Sequence, residues 1–332
     1  MIIDNLVVNA IKKELSHSIL NYRIDKIFQI GKYDFLLTLF NRGVKMSLII
    51  SLNPNIYRLH LTGNQYKDSK QLSSFCLQLK KNLESGTIVE IKQINFDRIL
   101  SFKIENLDNV RDPIIFYLIV ELTGKYSNLI LTDENNKILG SYKQIDETQN
   151  EERQILVGTK YCPITNKQNK LDLNDLSKEK FASLIQKYPT LSLKKFLINC
   201  FTGISSHTCT LLFDDLPISL ESEQKLDSIL QIPLKNFPEN LLDQIFIQLS
   251  QFSETIREDN IFLKFTEINN LLSFKLDTKI SEVSKVLDKY YFNLESQNVF
   301  NNLKSEQKKV INKNIEKINN KLLIQQNILE SS

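Results

Sequence analysis

Asp97 and Arg98 stand side by side between two apolar runs, and Glu121 follows one run later with Thr123-Gly124-Lys125-Tyr126-Ser127-Asn128 behind it. A carboxylate accepts hydrogen bonds from base amino groups or a ribose hydroxyl, while a guanidinium clamps a phosphate or stacks on a splayed base. Adjacent residues in a strand point to opposite faces. The pair can therefore act together only at a strand start, a bulge or a turn, where alternation is broken. Ile88, Ile91 and Ile94 precede it and Ile99 and Phe102 follow it, so the boundary between two apolar segments is such a place. A solvated hairpin corner fits the same spacing, and the residues alone leave both readings open.

A second candidate lies at Phe201-Thr202-Gly203-Ile204-Ser205, between the apolar helical spacing of Leu193, Phe196, Leu197 and Cys200 and that of Thr208 to Phe213. An apolar-Thr-Gly-apolar-Ser bend between short helices is the pattern of a helix-hairpin-helix. There the glycine allows close backbone approach and the next helix's first amides face a phosphate. Gly203 and Ser205 are then expected to touch nucleic-acid backbone. A plain αα-hairpin explains the bend as well. The four cysteines (Cys76, Cys162, Cys200, Cys209) and three histidines (His17, His60, His207) are scattered, without the spacing of a zinc site or a disulfide framework, and read as structural.

The elements that must position these groups follow from periodicity. Residues 4–20 read as an amphipathic helix capped by Asp4, with Val7, Ala10 or Ile11, and Leu15 on one face. Strand-like runs follow at 23–30, 33–40 and 44–51, the last two joined at Asn41-Arg42-Gly43. A helix is expected over 70–84 with Gly86 as its stop, then strands at 87–95, 98–105, 114–122, 127–132 and 137–143. Short turns between strands indicate an antiparallel α+β domain, not a doubly wound one. The polar stretch 144–175 suits a boundary. Beyond it the chain turns helical, including 239–256, with a short β-like segment at 261–275. From Ile280 a helix runs into Ile311, Ile315, Ile318, Leu322 and Leu329, spaced by four, three, four and seven, the rhythm of a coiled coil. That pattern is still running at Ser332, which points to the N-terminal part of a longer protein.

Composition sets the outer limits. With 332 residues, 42% hydrophobic and 24% charged, the chain is long enough for two or three domains of ordinary globular make-up. It has no apolar run of membrane-spanning length and no signal-peptide start, so a cytoplasmic protein with no membrane contact is expected. Residues 1–103 hold 15 Lys and Arg against 8 Asp and Glu, a net +7, which leaves −4 of the total +3 for the remainder. A basic first third favours a polyanionic partner.

Taken in order, these residues resemble the NFACT family, whose members include ribosome quality-control factors and fibronectin-binding proteins. The resemblance runs from Asp4 and Tyr22-Arg23-Ile24-Asp25-Lys26-Ile27 through Ser51-Leu52-Asn53-Pro54, Arg58, His60, Thr62, Phe75-Cys76 and Leu79-Lys80-Lys81. It continues at Asp97-Arg98, at Glu121 with Gly124, Ser127 and Asn128, at Gly203-Ile204-Ser205, and over Val283 to Tyr291. It departs at Thr123 and Lys125, where the family usually has Met and Arg, at Ser206 in place of Pro, and in lacking a paired proline before Phe75. Lys at 125 keeps the charge but not the bidentate grip.

The resemblance implies a β-rich N-terminal domain (1–165) similar to that of formamidopyrimidine-DNA glycosylases. An all-α helix-hairpin-helix region (166–275) and the first helix of a coiled coil (276–332) would follow. It further implies tRNA binding, alanyl-tRNA above all, on a large ribosomal subunit that holds a stalled nascent chain as peptidyl-tRNA, in support of C-terminal alanine tailing. Asp97, Arg98, Asp4, Arg23, Glu121 and Lys125 would contact tRNA; Lys80, Lys81, Gly203 and Ser205 would meet nucleic-acid backbone. No cofactor, metal or catalytic residue is implied, because peptide-bond chemistry would belong to the ribosome. Glycosylase chemistry would need a Pro-Glu start, and Ile2-Ile3 stands there instead. Fibronectin is the alternative partner, as for a surface adhesin.

Overall fold

Helix α1 (Asn5–Ser18) starts where Asp4, extended at φ −101°, turns its carboxylate onto the Leu6 and Val7 amides, as an N-cap does. In this computed structural model the described residues are 3–66, 72–108, 110–148, 153–163, 170–213, 230–259, 261–268, 271–277 and 282–330. Leu6, Val7, Ala10, Ile11 and Leu15 of α1 are buried, but so are Asn5, Asn9 and Lys13. The helix is thus enclosed on a polar face as well as an apolar one.

Nine strands follow: β1 (Arg23–Gln29), β2 (Asp34–Asn41), β3 (Val44–Ser51), β4 (Arg58–Leu61), β5 (Thr87–Gln93), β6 (Ile99–Leu107), β7 (Pro113–Glu121), β8 (Asn128–Asp133) and β9 (Ile138–Ser141). They form one sheet in the order β4-β3-β2-β1-β5-β6-β7-β8-β9, each neighbour antiparallel. The architecture is α+β with an antiparallel β-rich N-terminal part. β4 lies where no strand was expected: Leu59 and Leu61 alternate with Arg58 and His60, but the run is only four residues long, and its polar members are themselves buried.

The seam between β1 and β5 is narrow, with Arg23 opposite Thr87 as its register pair. Contacts from beyond β9 reach across to the β1–β2 side of that seam. Tyr142, one residue past β9, donates its hydroxyl to the Lys32 carbonyl at 2.8 Å and meets Phe35 of β2 edge-on at 5.8 Å. Helix α2 (Ser74–Leu83) packs against β1, β6 and β9, with Phe75 edge-on to Phe35. It ends at Glu84, and Ser85 takes a φ of +72°, two residues before the glycine read as its stop. On one face of β6, Leu100, Phe102 and Ile104 enter the main core. On the other, Ile99 joins Ile119, Ile130, Ile138, Ile155 and Tyr161 in a second, smaller one, so this end of the sheet is covered on both sides.

The later part holds α3 (Lys178–Lys187), α4 (Leu193–Cys200), α5 (Ser206–Phe213) and α6 (Glu239–Arg257). Phe181, Phe196, Phe201 and Phe246 cluster at 5.7 to 6.5 Å between ring centres. The stretch read as β-like is a hairpin of β10 (Phe262–Ile268) and β11 (Leu271–Asp277). Helix α7 (Val283–Glu330) closes the described chain. Two compact units result, Met1–Val286 and Leu287–Ser332. In the second, Ile311, Ile315, Ile318 and Leu322 are 49 to 58% exposed, an apolar stripe on a single helix.

Candidate nucleic-acid interface

Asp97 and Arg98 occupy the connection between β5 and β6. The Asp97 amide donates to the Ile94 carbonyl at 2.9 Å. This closes a four-residue turn whose central residues, Asn95 and Phe96, have φ of +52° and +50°, the double positive φ of a type I′ turn. Alternation is therefore broken at the pair. The Arg98 amide donates to Asp97 Oδ1 at 2.7 Å, and Arg98 Nε stands 3.9 Å from the same oxygen with both side chains about one third exposed (35% and 33%). A half-solvated pair of this kind stabilises the fold little and leaves part of the guanidinium accessible to solvent. The Arg98 carbonyl accepts from the Leu122 amide at 2.9 Å, which sets the β7–β8 connection beside it. Lys125, exposed in the 3₁₀ turn Gly124–Tyr126 of that connection, lies at this same end of the sheet.

The Gly203 bend is turned inward. The Ser205 hydroxyl donates to Asp4 Oδ2 at 2.9 Å and accepts from the Thr208 amide at 3.0 Å, so it caps α5 while bonding the cap of α1. Asn5 Nδ2 donates to the Gly203 carbonyl. Gly203, at φ +70°, faces the Phe96 ring, and a β-carbon there would come within 2.7 Å of Phe96 Cδ1. Asp4 is 3% exposed, and burial raises its pKa against the opposing pull of the Val7 amide, Ser205 and His207. Contact with RNA through the Asp4 carboxylate, the Gly203 carbonyl or the Ser205 hydroxyl, expected for these positions, is not what they offer: those atoms are engaged within the protein because the bend docks on α1 and on the β5–β6 turn.

Glu121 is also internal, at 0% exposure. Its Oε1 accepts from Arg153 Nη2 and from the Tyr161 hydroxyl at 2.8 Å. Burial raises its pKa more than Arg153 lowers it, and the Tyr161 phenol is raised as well, by burial and by Glu121. The side chain follows Ile99, opposite it in register, into the smaller core that residues 153–162 cover. It holds that cover down; its part in any RNA contact runs through the turn next to it.

Arg23 is exposed at the start of β1, opposite Thr87. The 94–97 turn lies beyond the far end of β5, six residues on, about 20 Å at the rise of a strand. Lys80 and Lys81 lie in the last turn of α2, near Asn106 at the far end of β6, whose Nδ2 donates to the Asn82 carbonyl. The expected contacts thus do not converge: Asp97, Arg98 and Lys125 lie at one end of the sheet and Arg23 at the other, while Lys80, its Nζ 5.6 Å from the Phe28 ring centre, and Lys81 lie on α2.

A cleft of about 600 Å³ opens beside the turn, lined among others by Asn9, Lys12, Gln93, Asn95, Thr202 and Asp259. Asn9 Nδ2 donates to Gln93 Oε1 at 3.1 Å, and Lys12 pairs with Asp259 at 2.7 Å. Sequence reading passed over these residues. The signal was Asn5, Asn9 and Lys12, spaced by four and three along α1, a polar stripe on a helix read only for its apolar one. Among the described residues no His, Cys, Asp or Glu group could hold a metal ion, and no helix is long and apolar enough to cross a membrane. Burial pushes the Cys209 thiol up to about 12, which makes it a packing residue and not a nucleophile.

Comparison with known proteins agrees with this architecture. The family described as NFACT N-terminal and middle domains matches residues 4–332. The Rqc2 homolog RqcH of Bacillus subtilis is 30% identical over 206 residues, 62% of this chain and 36% of that protein. The human ribosome quality control complex subunit NEMF is 28% identical over 132 residues, 40% of this chain and 11% of its own length. The chain therefore spans well under half of these relatives. Among solved structures, the N-terminal part of the fibronectin/fibrinogen-binding protein of Streptococcus suis superposes with a TM-score of 0.65 at 24% identity, over 87% of this chain and 99% of that one.

Proposed function

Because this chain belongs to the family of NFACT N-terminal and middle domains, we propose that it grips tRNA for ribosome quality control. In this reading it recruits alanyl-tRNA to a large subunit that carries a stalled nascent chain and supports alanine addition to that chain's C-terminus. Relatives named for ribosome quality control in bacteria and in humans support the general role. The observation that carries the tRNA reading is the Asp97–Arg98 pair itself, one third exposed on a turn of fixed backbone. Arg98 is free to take a phosphate, and Asp97 either accepts from a base or ribose or orients the guanidinium. Lys125 adds sequence-independent attraction at the same end, and Arg23, Lys80 and Lys81 add it elsewhere on the surface. The peptide-bond chemistry belongs to the ribosome, and the work takes place in the cytoplasm.

The test is tRNA retention on filters by wild type, Asp97→Ala and Arg98→Ala at one fixed salt concentration. Retention by wild type and its marked reduction in both variants, with unchanged thermal unfolding, is expected. Equal retention by all three removes the proposal. Fibronectin binding, named for the Streptococcus suis protein, gives no residue of this site a task.

A further inference from the structure

The turn that presents Asp97 and Arg98 is strained, and its own sequence does not account for it. Asn95 tolerates the left-handed region; Phe96, at φ +50°, is a bulky residue that rarely enters it. Such backbone persists only where the surroundings over-determine it. Here they do so from two sides. Gln93 Nε2 donates to the Asp97 carbonyl at 2.8 Å and to the Asn5 carbonyl at 2.9 Å, so one amide ties the turn to α1. The Phe96 ring lies against Gly203, where no side chain fits, and stands edge-on to Phe252 of α6 at 6.4 Å. Asn5 Nδ2 on the Gly203 carbonyl closes the loop of contacts.

We infer that Gln93 and Gly203 are positioning residues for RNA binding, and that the Thr202–Gly203 bend is an internal clamp on the Asp97–Arg98 turn, not a phosphate-binding loop. The inference rests on the tRNA reading above. Gln93 fixes the Asp97 peptide, and Gly203 leaves room for the Phe96 ring that the turn must place inward. Neither side of the clamp touches RNA; each sets the direction in which the Arg98 side chain leaves the backbone.

The experiment is a double-mutant cycle in tRNA affinity using Gln93→Met, which keeps length and volume without the amide, Arg98→Ala, and the two combined. Gln93→Met alone is expected to weaken tRNA binding about tenfold, and to add nothing on the Arg98→Ala background, because the group it aims is already gone. A purely structural role would lower affinity equally on both backgrounds, and additive losses overturn the inference. So does wild-type affinity in Gln93→Met when Arg98→Ala binds poorly. If Arg98→Ala binds as wild type does, the tRNA reading itself fails and the inference falls with it. Should Gln93→Met not fold, Gly203→Ala takes its place in the same cycle, its methyl pressing on Phe96 from the other side.

Discussion

The Ser205 hydroxyl donates to Asp4 Oδ2 across 201 residues of sequence, and through it the caps of α1 and α5 become one unit. Asp4→Ala removes an N-cap, about 1 kcal/mol, and takes the acceptor from a partly buried hydroxyl, about 1 to 2 kcal/mol more. A loss of about 2 to 3 kcal/mol in denaturant unfolding is expected. Asp4→Asn keeps an acceptor, sheds a buried charge and loses less. The double variant with Ser205→Ala should cost less than the sum of its parts; strict additivity would show that the two caps are independent.

Glu121 and Arg153 form a buried pair, with side chains 0% and 10% exposed. Removing one member leaves the other buried without its counter-charge, typically about 3 to 5 kcal/mol. Glu121→Ala should therefore lower stability by about 3 kcal/mol and expose residues 153–162 to protease, while Glu90→Ala on the exposed Glu90–Lys92 pair leaves thermal unfolding within a degree or so of wild type. Wild-type protease resistance in Glu121→Ala would contradict the latch.

The same carboxyl sets a pH dependence. Its folded pKa lies above the ordinary 4.5 because burial disfavours the charged form. The folded state therefore binds the proton more readily than the unfolded chain, and stability is gained as pH falls through the folded pKa and lost as pH rises through it. Glu121→Gln lacks this titration. Unfolding of the two proteins followed from pH 7 down toward 4.5 should show the wild type gaining on the variant. A gap that moves in the variant's favour on acidification would reverse the assigned direction.

Arg98→Lys separates charge from shape. Lysine retains the phosphate attraction but not the planar fork, so tRNA affinity should fall between wild type and Arg98→Ala. The slope of log affinity against log salt should stay near wild type in the lysine variant and drop by about one phosphate contact in the alanine variant. A titration series at several salt concentrations reads both. Identical slopes for wild type and Arg98→Ala would place Arg98 away from phosphate.

Periodicity made most of the sheet legible, because its strands alternate and its turns carry their own signals; Arg42 and Gly43, at φ +45° and +87°, sit in the tight turn their sequence suggests. The break at Asp97–Arg98 was legible for the same reason. What could not be read was direction. Gly203 announces a bend, but only Asn5, Phe96 and Asp4, some hundred or more positions away in sequence, turn that bend inward. Glu121 looked like a surface acid because Arg153 and Tyr161, its partners, lie in a polar stretch with no pattern of its own. The left-handed backbone of Phe96 has no local signal, since the ring's place is set by a distant glycine. Local spacing reports local geometry; the long-range partners of buried polar groups leave no trace in it.

The polar side of α1 has one more consequence, for the chain as it is being made. Asn5, Lys12 and Glu14 find partners at Gly203, Asp259 and Ser284, the last of them 270 residues later. At a synthesis rate of about 5 to 20 residues per second, α1 waits roughly 15 to 55 s after its own synthesis for the last of these groups. Its apolar side can settle on the early strands long before that. For that interval the newborn protein carries a nearly finished β-body with an open polar seam, and a molecular chaperone that favours such seams would find its substrate there.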